Sequence, residues 1–291
     1  MAISPLEFAV KVVQKALKSP SLSKQVQAAL AALEALSKKR DRENLARFGI
    51  TAKSALGVSM ANVQKLAKTL GHNHELAGAL WDTGCYEARL LTAFVAEPAR
   101  VTPAQAERWC KAFDNWAVCD TLCFFLLDRV PFAWDKIHSW SGMHPEFVKR
   151  AAFALMASIA GHDKQAGDAV FLEGLTLIEC AAKDDRNFVK KAVSWALRRI
   201  GRRNQALNRA AVALSLRLSS STDASERWLG KSAHKELTSA LVERALRPKK
   251  PRAAKVEKPI AARAAPKRAA QHTPKKKAGS RQASGRLRAK V

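Results

Sequence analysis

A chain of 291 residues with 51 Lys/Arg against 25 Asp/Glu carries a formal net charge of +26, an excess that predicts salt-dependent attraction to phosphate polymers. No apolar run approaches the roughly 20 residues needed to span a bilayer, and Glu7 and Lys11 interrupt the first apolar stretch, so neither membrane association nor a signal peptide is expected. The five cysteines, Cys85, Cys110, Cys119, Cys123 and Cys180, are odd in number and form no Cys-x-x-Cys pair, which argues against a disulfide framework or a zinc site and for reduced thiols in a cytoplasmic protein.

Apolar positions recur with helical spacing through most of the chain, while Ala, Leu, Lys and Arg dominate and β-branched alternation is missing. In chain order the pattern predicts helices near 5–18, 22–37, 41–48, 59–70, 73–81, 86–96, 103–113, 116–128, 145–160, 165–182, 187–202, 204–218 and 224–244. Short breaks such as Ser19-Pro20-Ser21, Gly71-His72-Asn73 and Gly161-His162-Asp163 separate them, with Ser21, Thr102 and Asp163 as expected N-caps. Antiparallel pairs of about forty residues predict an all-α fold, a superhelical solenoid of HEAT-like helix pairs. A globular helical bundle is the alternative on periodicity alone.

The solenoid is expected to occupy residues 1–246. From Arg247 the composition turns to Pro, Ala, Lys and Arg: residues 247–291 hold sixteen Lys/Arg against one acid, Glu257, and residues 1–246 keep a net +11 of their own. Five prolines, Pro248, Pro251, Pro259, Pro266 and Pro274, and a shortage of large apolar residues predict a disordered basic C-terminal tail that adds non-specific nucleic-acid contacts.

Two helical segments carry the chemistry. Trp116 and Asp120 stand four apart and share one helix face. Burying a carboxylate without a partner is costly, so Asp120 either pairs structurally or lines a pocket. In the segment 187–202, Lys191, Trp195, Arg198 and Arg202 recur at four, three and four residues as one stripe. Trp195 is then either a surface aromatic between cations or a core anchor with cations snorkelling around it. Glu87 and Arg89 read as a structural ion pair.

The runs Leu80-Trp-Asp-Thr-Gly-Cys-Tyr-Glu-Ala-Arg-Leu-Leu, Trp116-Ala-Val-Cys-Asp, Lys149-Arg-Ala-Ala and Lys191-Ala-Val-Ser-Trp-Ala-Leu-Arg, in that order and spacing, resemble the DNA alkylation repair family, the AlkD-like glycosylases built from HEAT-like repeats. Leu56-Gly-Val-Ser-Met resembles that family's early segment, and the similarity covers about three fifths of the chain. The family's aromatic–aspartate pair, arginine and second tryptophan match Trp116, Asp120, Arg150 and Trp195. The resemblance implies a monomeric enzyme, cytoplasmic and nucleoid-associated, that excises cationic N3- or N7-alkylated purines from double-stranded DNA without metal or cofactor. In that reading Trp116 and Trp195 face the positive sugar of the transition state, and Asp120 supplies negative charge and orients water. Arg150 holds a backbone phosphate, with Lys149, Lys190, Lys191, Arg198 and Arg202 as further DNA-binding cations. Phe48 is a candidate for an aromatic near the lesion. Relatives that share the fold but only bind DNA supply the alternative, a non-catalytic HEAT-repeat protein for damaged, bent or branched DNA.

Overall fold

The computed structural model describes residues 3–247; the predicted basic tail lies outside them apart from its first residue. Among the described residues there are fifteen α-helices and no strand. In chain order these are α1 (Pro5–Leu17), α2 (Leu22–Ala35), α3 (Lys39–Arg47), α4 (Met60–Leu70), α5 (His74–Asp82), α6 (Tyr86–Val95), α7 (Pro103–Lys111) and α8 (Trp116–Phe125). There follow α9 (Ala133–Ser141), α10 (Glu146–His162), α11 (Asp168–Cys180), α12 (Asn187–Gly201), α13 (Gln205–Ser219), α14 (Ala224–Leu237) and α15 (Ala240–Leu246). No helix among the described residues is long and apolar enough to cross a membrane.

One row of helices carries the architecture. α4, α6, α8, α10, α12 and α14 pack each against the next, with α5, α9 and α13 antiparallel beside their successors. Hydrogen bonds show that α8, α10 and α12 run parallel. Arg150 of α10 reaches Asp120 of α8 and Ser158 reaches Asp128 beyond its end, both thirty residues back. On the other side Arg199 of α12 reaches the Ala157 carbonyl and Arg203 the Ala160 carbonyl. All of α8, α10 and α12 therefore begin at one edge of the row and finish at the other.

α10 is the central beam. Every residue from Arg150 to Ala160 is buried, as expected of a helix that is apolar all round and covered on both flanks.

Several boundaries differ from expectation for local reasons. Ser21 and Thr102 cap α2 and α7 as predicted, accepting from the Lys24 and Gln105 amides. Asp163 instead sits at the C-terminal end of α10 and accepts from the Gln165 and Ala166 amides, so the next helix is delayed to Asp168. The segment 224–244 is two helices, because the Ser239 hydroxyl accepts from the Val242 amide and restarts the chain as α15. α9 was not expected. Its core contribution comes from Ala133, Ile137 and Trp140 at helical spacing, but a helix of nine residues that includes two tryptophans and has no side-chain cap gives weak local propensity. Tertiary burial of Trp140, whose Nε1 donates to Glu107 at 2.8 Å, holds it.

The expected Glu87–Arg89 ion pair is not formed. Glu87 is fully buried and accepts the backbone amides of Leu56, Gly57 and Val58 at 2.9, 2.7 and 3.1 Å. Arg89 lies over the Trp81 ring and pairs with Asp114. The two side chains, two residues apart on a helix, diverge by some 200° and serve different neighbours.

Candidate functional site

The site begins with a cap. Asn115 accepts the Val118 amide at 3.0 Å and starts α8 at Trp116. The Trp116 indole Nε1 then donates to the Phe48 carbonyl at 2.8 Å, pinning the end of α3 against the start of α8. Gly49 follows with φ of +69°, a left-handed conformation that glycine adopts without the cost of a Cβ. The Phe188 ring lies 3.3 Å from where that Cβ would be.

These contacts enclose a cleft of about 530 Å³ at the edge where α8, α10 and α12 begin. Arg47, Phe48 and Gly49 form one wall, Trp116 and Asp120 the second, and Asn187, Phe188 and Lys191 the third, with Arg150 at the base. Behind the Trp116 ring a second, more apolar hollow of about 420 Å³ shares Phe48, Trp116 and Asp120 and adds Met60, Tyr86 and Leu90. Phe48 is 64% exposed.

Asp120 and Arg150 meet as a two-point pair: Nε to Oδ1 at 2.9 Å and Nη2 to Oδ2 at 2.7 Å. The third guanidinium nitrogen, Nη1, donates to the Phe188 carbonyl at 2.6 Å. The arginine side chain is 8% exposed and the aspartate 16%, so the carboxylate faces the cleft while the guanidinium supports it from behind. Burial pushes the Asp120 carboxyl above the ordinary aspartate range, and the Arg150 charge opposes that shift. Arg150 in turn is held above its ordinary value by Asp120, which outweighs the effect of its own burial. The fork expected to grip a phosphate is thus engaged with protein acceptors at all three nitrogens, and in this conformation it positions Asp120.

The cations expected to contact DNA separate into groups. Lys191 is exposed and lines the cleft. Lys149 pairs with the buried Asp184 at 3.0 Å. Lys190 lies over the Trp228 ring at 5.4 Å. Arg198 and Arg202 both bind Glu236 of α14, at 2.9 and 3.3 Å. Trp195 is half-buried and stacked on Phe124, centroids 4.6 Å apart and planes within 7°. The structure therefore brings Trp116, Asp120, Arg150 and Lys191 together and leaves Trp195 about one turn further along α12, outside the cleft walls.

Arg47, Gly49, Asn187 and Phe188 are cleft residues that sequence reasoning missed. Only Gly49, in the short break after α3, carried a local signal, since a glycine between two predicted helices marks a turn.

The sequence from residue 29 to 237 matches the family model described as DNA alkylation repair enzyme. The chain belongs to that family. No curated protein matches the sequence. Among solved structures, the fold is similar to that of a member of "a new family of proteins related to the HEAT-like repeat DNA glycosylases with affinity for branched DNA structures", at 20% identity and a TM-score of 0.63, over 76% of this chain and 95% of that one. A designed armadillo repeat protein is a more distant match, at 16% identity and a TM-score of 0.31 over 78% of this chain and 99% of that one. This alkylation-repair family member thus has the HEAT-like solenoid expected of it.

Proposed function

We propose that this protein is a DNA glycosylase that hydrolyses the N-glycosidic bond of cationic N3- or N7-alkylated purines in duplex DNA. The observation that carries the reading is the Asp120 carboxylate, open to a cleft beside the Trp116 indole and held from behind by Arg150. An alkylated purine leaves with the electron pair of the C1′–N bond, which neutralises its positive charge, so the protein need not donate a proton. Positive charge passes to the deoxyribose. The electron-rich Trp116 face and the Asp120 carboxylate stabilise it there, and water adds to C1′ while Asp120 orients it and receives its proton. Arg150 favours the ionised form of Asp120 against its burial. Neither a metal nor a cofactor enters this scheme.

The test is incubation of the full chain with methylated duplex and chromatography of the freed bases. Release of 7-methylguanine or 3-methyladenine is expected, and Asp120→Asn should reduce it about a hundredfold or more. Absence of release from any alkylated duplex overturns the reading.

A second reading rests on a different observation: each Asp120 oxygen already accepts a hydrogen bond from Arg150, and Phe124 covers one Trp195 face. Both suit a scaffold that recognises bent or branched DNA without chemistry, and the structural neighbour is described as having affinity for branched DNA structures. Salt-sensitive binding that favours four-way over linear duplex, with no base release, would establish it.

A further inference from the structure

At the opposite edge of the helix row, where α10 and α12 end, lies a pocket of about 410 Å³ whose walls include Lys164, Arg199, Arg202 and Arg203, with Asp168 the one acid. Asp168 is already bound by the Asn204 side-chain amide at 2.8 Å. Arg203 is structural: its terminal nitrogens donate to the Ala160, Asp163 and Ala166 carbonyls, and its guanidinium lies 3.9 Å over the Phe171 ring. These bonds satisfy carbonyls that the end of α10 leaves open.

Arg199 is different. Its one hydrogen bond among the described residues runs from Nε to the Ala157 carbonyl at 3.3 Å, which leaves both terminal nitrogens without a protein acceptor. It makes no ion pair among the described residues. Its guanidinium lies against Gly161 so closely that a Cβ there would sit 1.7 Å from Nη2, so a larger residue at that position would push the guanidinium aside. Burial, and then the neighbouring Arg202 charge, hold Arg199 below the ordinary arginine value. Lys164 is exposed at the mouth, its Nζ on the Gly161 carbonyl. Arg199, with its terminal guanidinium donors unspent, lies in an open pocket beside the exposed Lys164 and beside Arg202, which Glu236 neutralises only from its other side; an anion relieves this arrangement, and helix capping alone does not require it.

We propose that this pocket is a second phosphate-binding site for DNA, gripping the backbone at a point remote from the candidate cleft. From Phe188 to Arg202 the rise along α12 is about 20 Å, which corresponds to roughly six base steps of duplex. The ligand is a phosphodiester, and the partner is the nucleic acid whose damaged or branched point occupies the cleft. The inference deepens the DNA-repair reading and needs only its DNA-binding part.

The experiment compares the full chain with two double variants, Lys164→Gln/Arg199→Gln and Lys164→Gln/Arg202→Gln, on a duplex of about twenty base pairs, reading affinity by fluorescence anisotropy across a salt series. The tail is present in every protein and cancels. Lys164→Gln/Arg199→Gln should bind about tenfold or more weakly near 0.1 M salt, with the slope of log affinity against log salt reduced by one to two units, and Lys164→Gln/Arg202→Gln should lose less, about one unit, because Arg202 is shared with Glu236. Lys164 and Arg202 are exposed, so the second variant carries the test if loss of Arg199 unfolds the end of α10. An unchanged slope in a folded variant overturns the site, whether or not the wild type releases bases. Inorganic phosphate that stabilises the wild type but not the variants, with DNA slopes equal, assigns the pocket to a free anion and also overturns it. Failure of base release by the wild type sinks the glycosylase reading alone, since the slopes are read without chemistry.

Discussion

Replacing Asp120 by Asn should destabilise the fold before it is asked to do any chemistry. The carboxylate takes two charge-assisted hydrogen bonds, 2.9 and 2.7 Å long, from a guanidinium that is 8% exposed. Breaking a buried pair by removing one partner costs about 3–5 kcal/mol, because the survivor is left charged and uncompensated. Asn keeps the shape and one good acceptor, and the Phe188 carbonyl still receives Nη1, so the expected loss is smaller, about 2–4 kcal/mol. For a solenoid of this size that lowers the melting temperature by roughly 5–15 °C. Arg150→Met leaves a carboxylate that can protonate or turn to the cleft water, at about 1–3 kcal/mol. In Asp120→Asn/Arg150→Met the lone charge is gone, so the double variant should be more stable than the sum of the singles by at least about 1 kcal/mol, well beyond the ~0.5 kcal/mol scatter of additive pairs. Urea unfolding followed by circular dichroism reads all four proteins. Additive losses would refute the claim that Arg150 exists chiefly to hold Asp120, and base release by the variants must be assayed below their melting points.

Other outcomes follow from individual contacts. Asp184 is held down to about 2, first by Arg186 and also by Lys149; a depressed folded value means the stabilisation is present above the unfolded aspartate range and is lost as pH falls from about 4 through 2. Asp184→Asn should therefore cost about 1–2 kcal/mol at neutral pH and nothing near pH 2 by urea midpoint, discounting the shift for solvent screening. Glu87→Gln should cost about 2–4 kcal/mol, because an amide nitrogen would face one of three buried backbone donors; an unchanged melting temperature counts against that count of bonds. Lys191→Gln should lower the salt slope of DNA binding by about one unit, and Arg198→Gln by less, since Arg198 is spent on Glu236; equal slopes for the two would contradict the grouping of the cations. In Arg150→Met, burial of Asp120 is no longer opposed by a neighbouring charge, so the acid limb of base release should move to higher pH.

The helices were legible because apolar residues recur at helical spacing, and the row of helix pairs because the breaks between them carry glycine, proline and capping residues. α9 escaped for the opposite reason: its identity depends on Trp140 reaching Glu107 on another helix. At the site, spacing placed Trp116 and Asp120 on one face, but the partner of Asp120 stands thirty residues away and no local pattern reveals it. Spacing also grouped Lys191, Trp195, Arg198 and Arg202, which do share a stripe of α12. What one helix cannot disclose is its neighbours. Phe124 claims one Trp195 face and Glu236 claims both arginines, so a stripe that is uniform in sequence becomes a cleft residue, a stacked ring and a pair of ion pairs.

The parallel course of α8, α10 and α12 gives the two edges of the row opposite electrostatic character before any side chain is counted. Helix starts are electropositive and helix ends electronegative, by about half a charge each. The cleft lies at the starts, and α12 enters it without a side-chain cap on its first amides. A carboxylate can be accommodated there, and Lys191 and the exposed Arg47 suffice to keep the cleft attractive to a phosphate even though Arg150 is committed elsewhere. The far edge gathers helix ends, where the same attraction requires more cations: Arg203 and the Nε of Arg199 answer the carbonyls of α10, and only the charge beyond that is free to meet a ligand. On this argument the crowd of arginines after Trp195 is not surplus basicity. It first cancels a helix-end field and then exceeds it, which is the condition for one polyanion to be held at both edges.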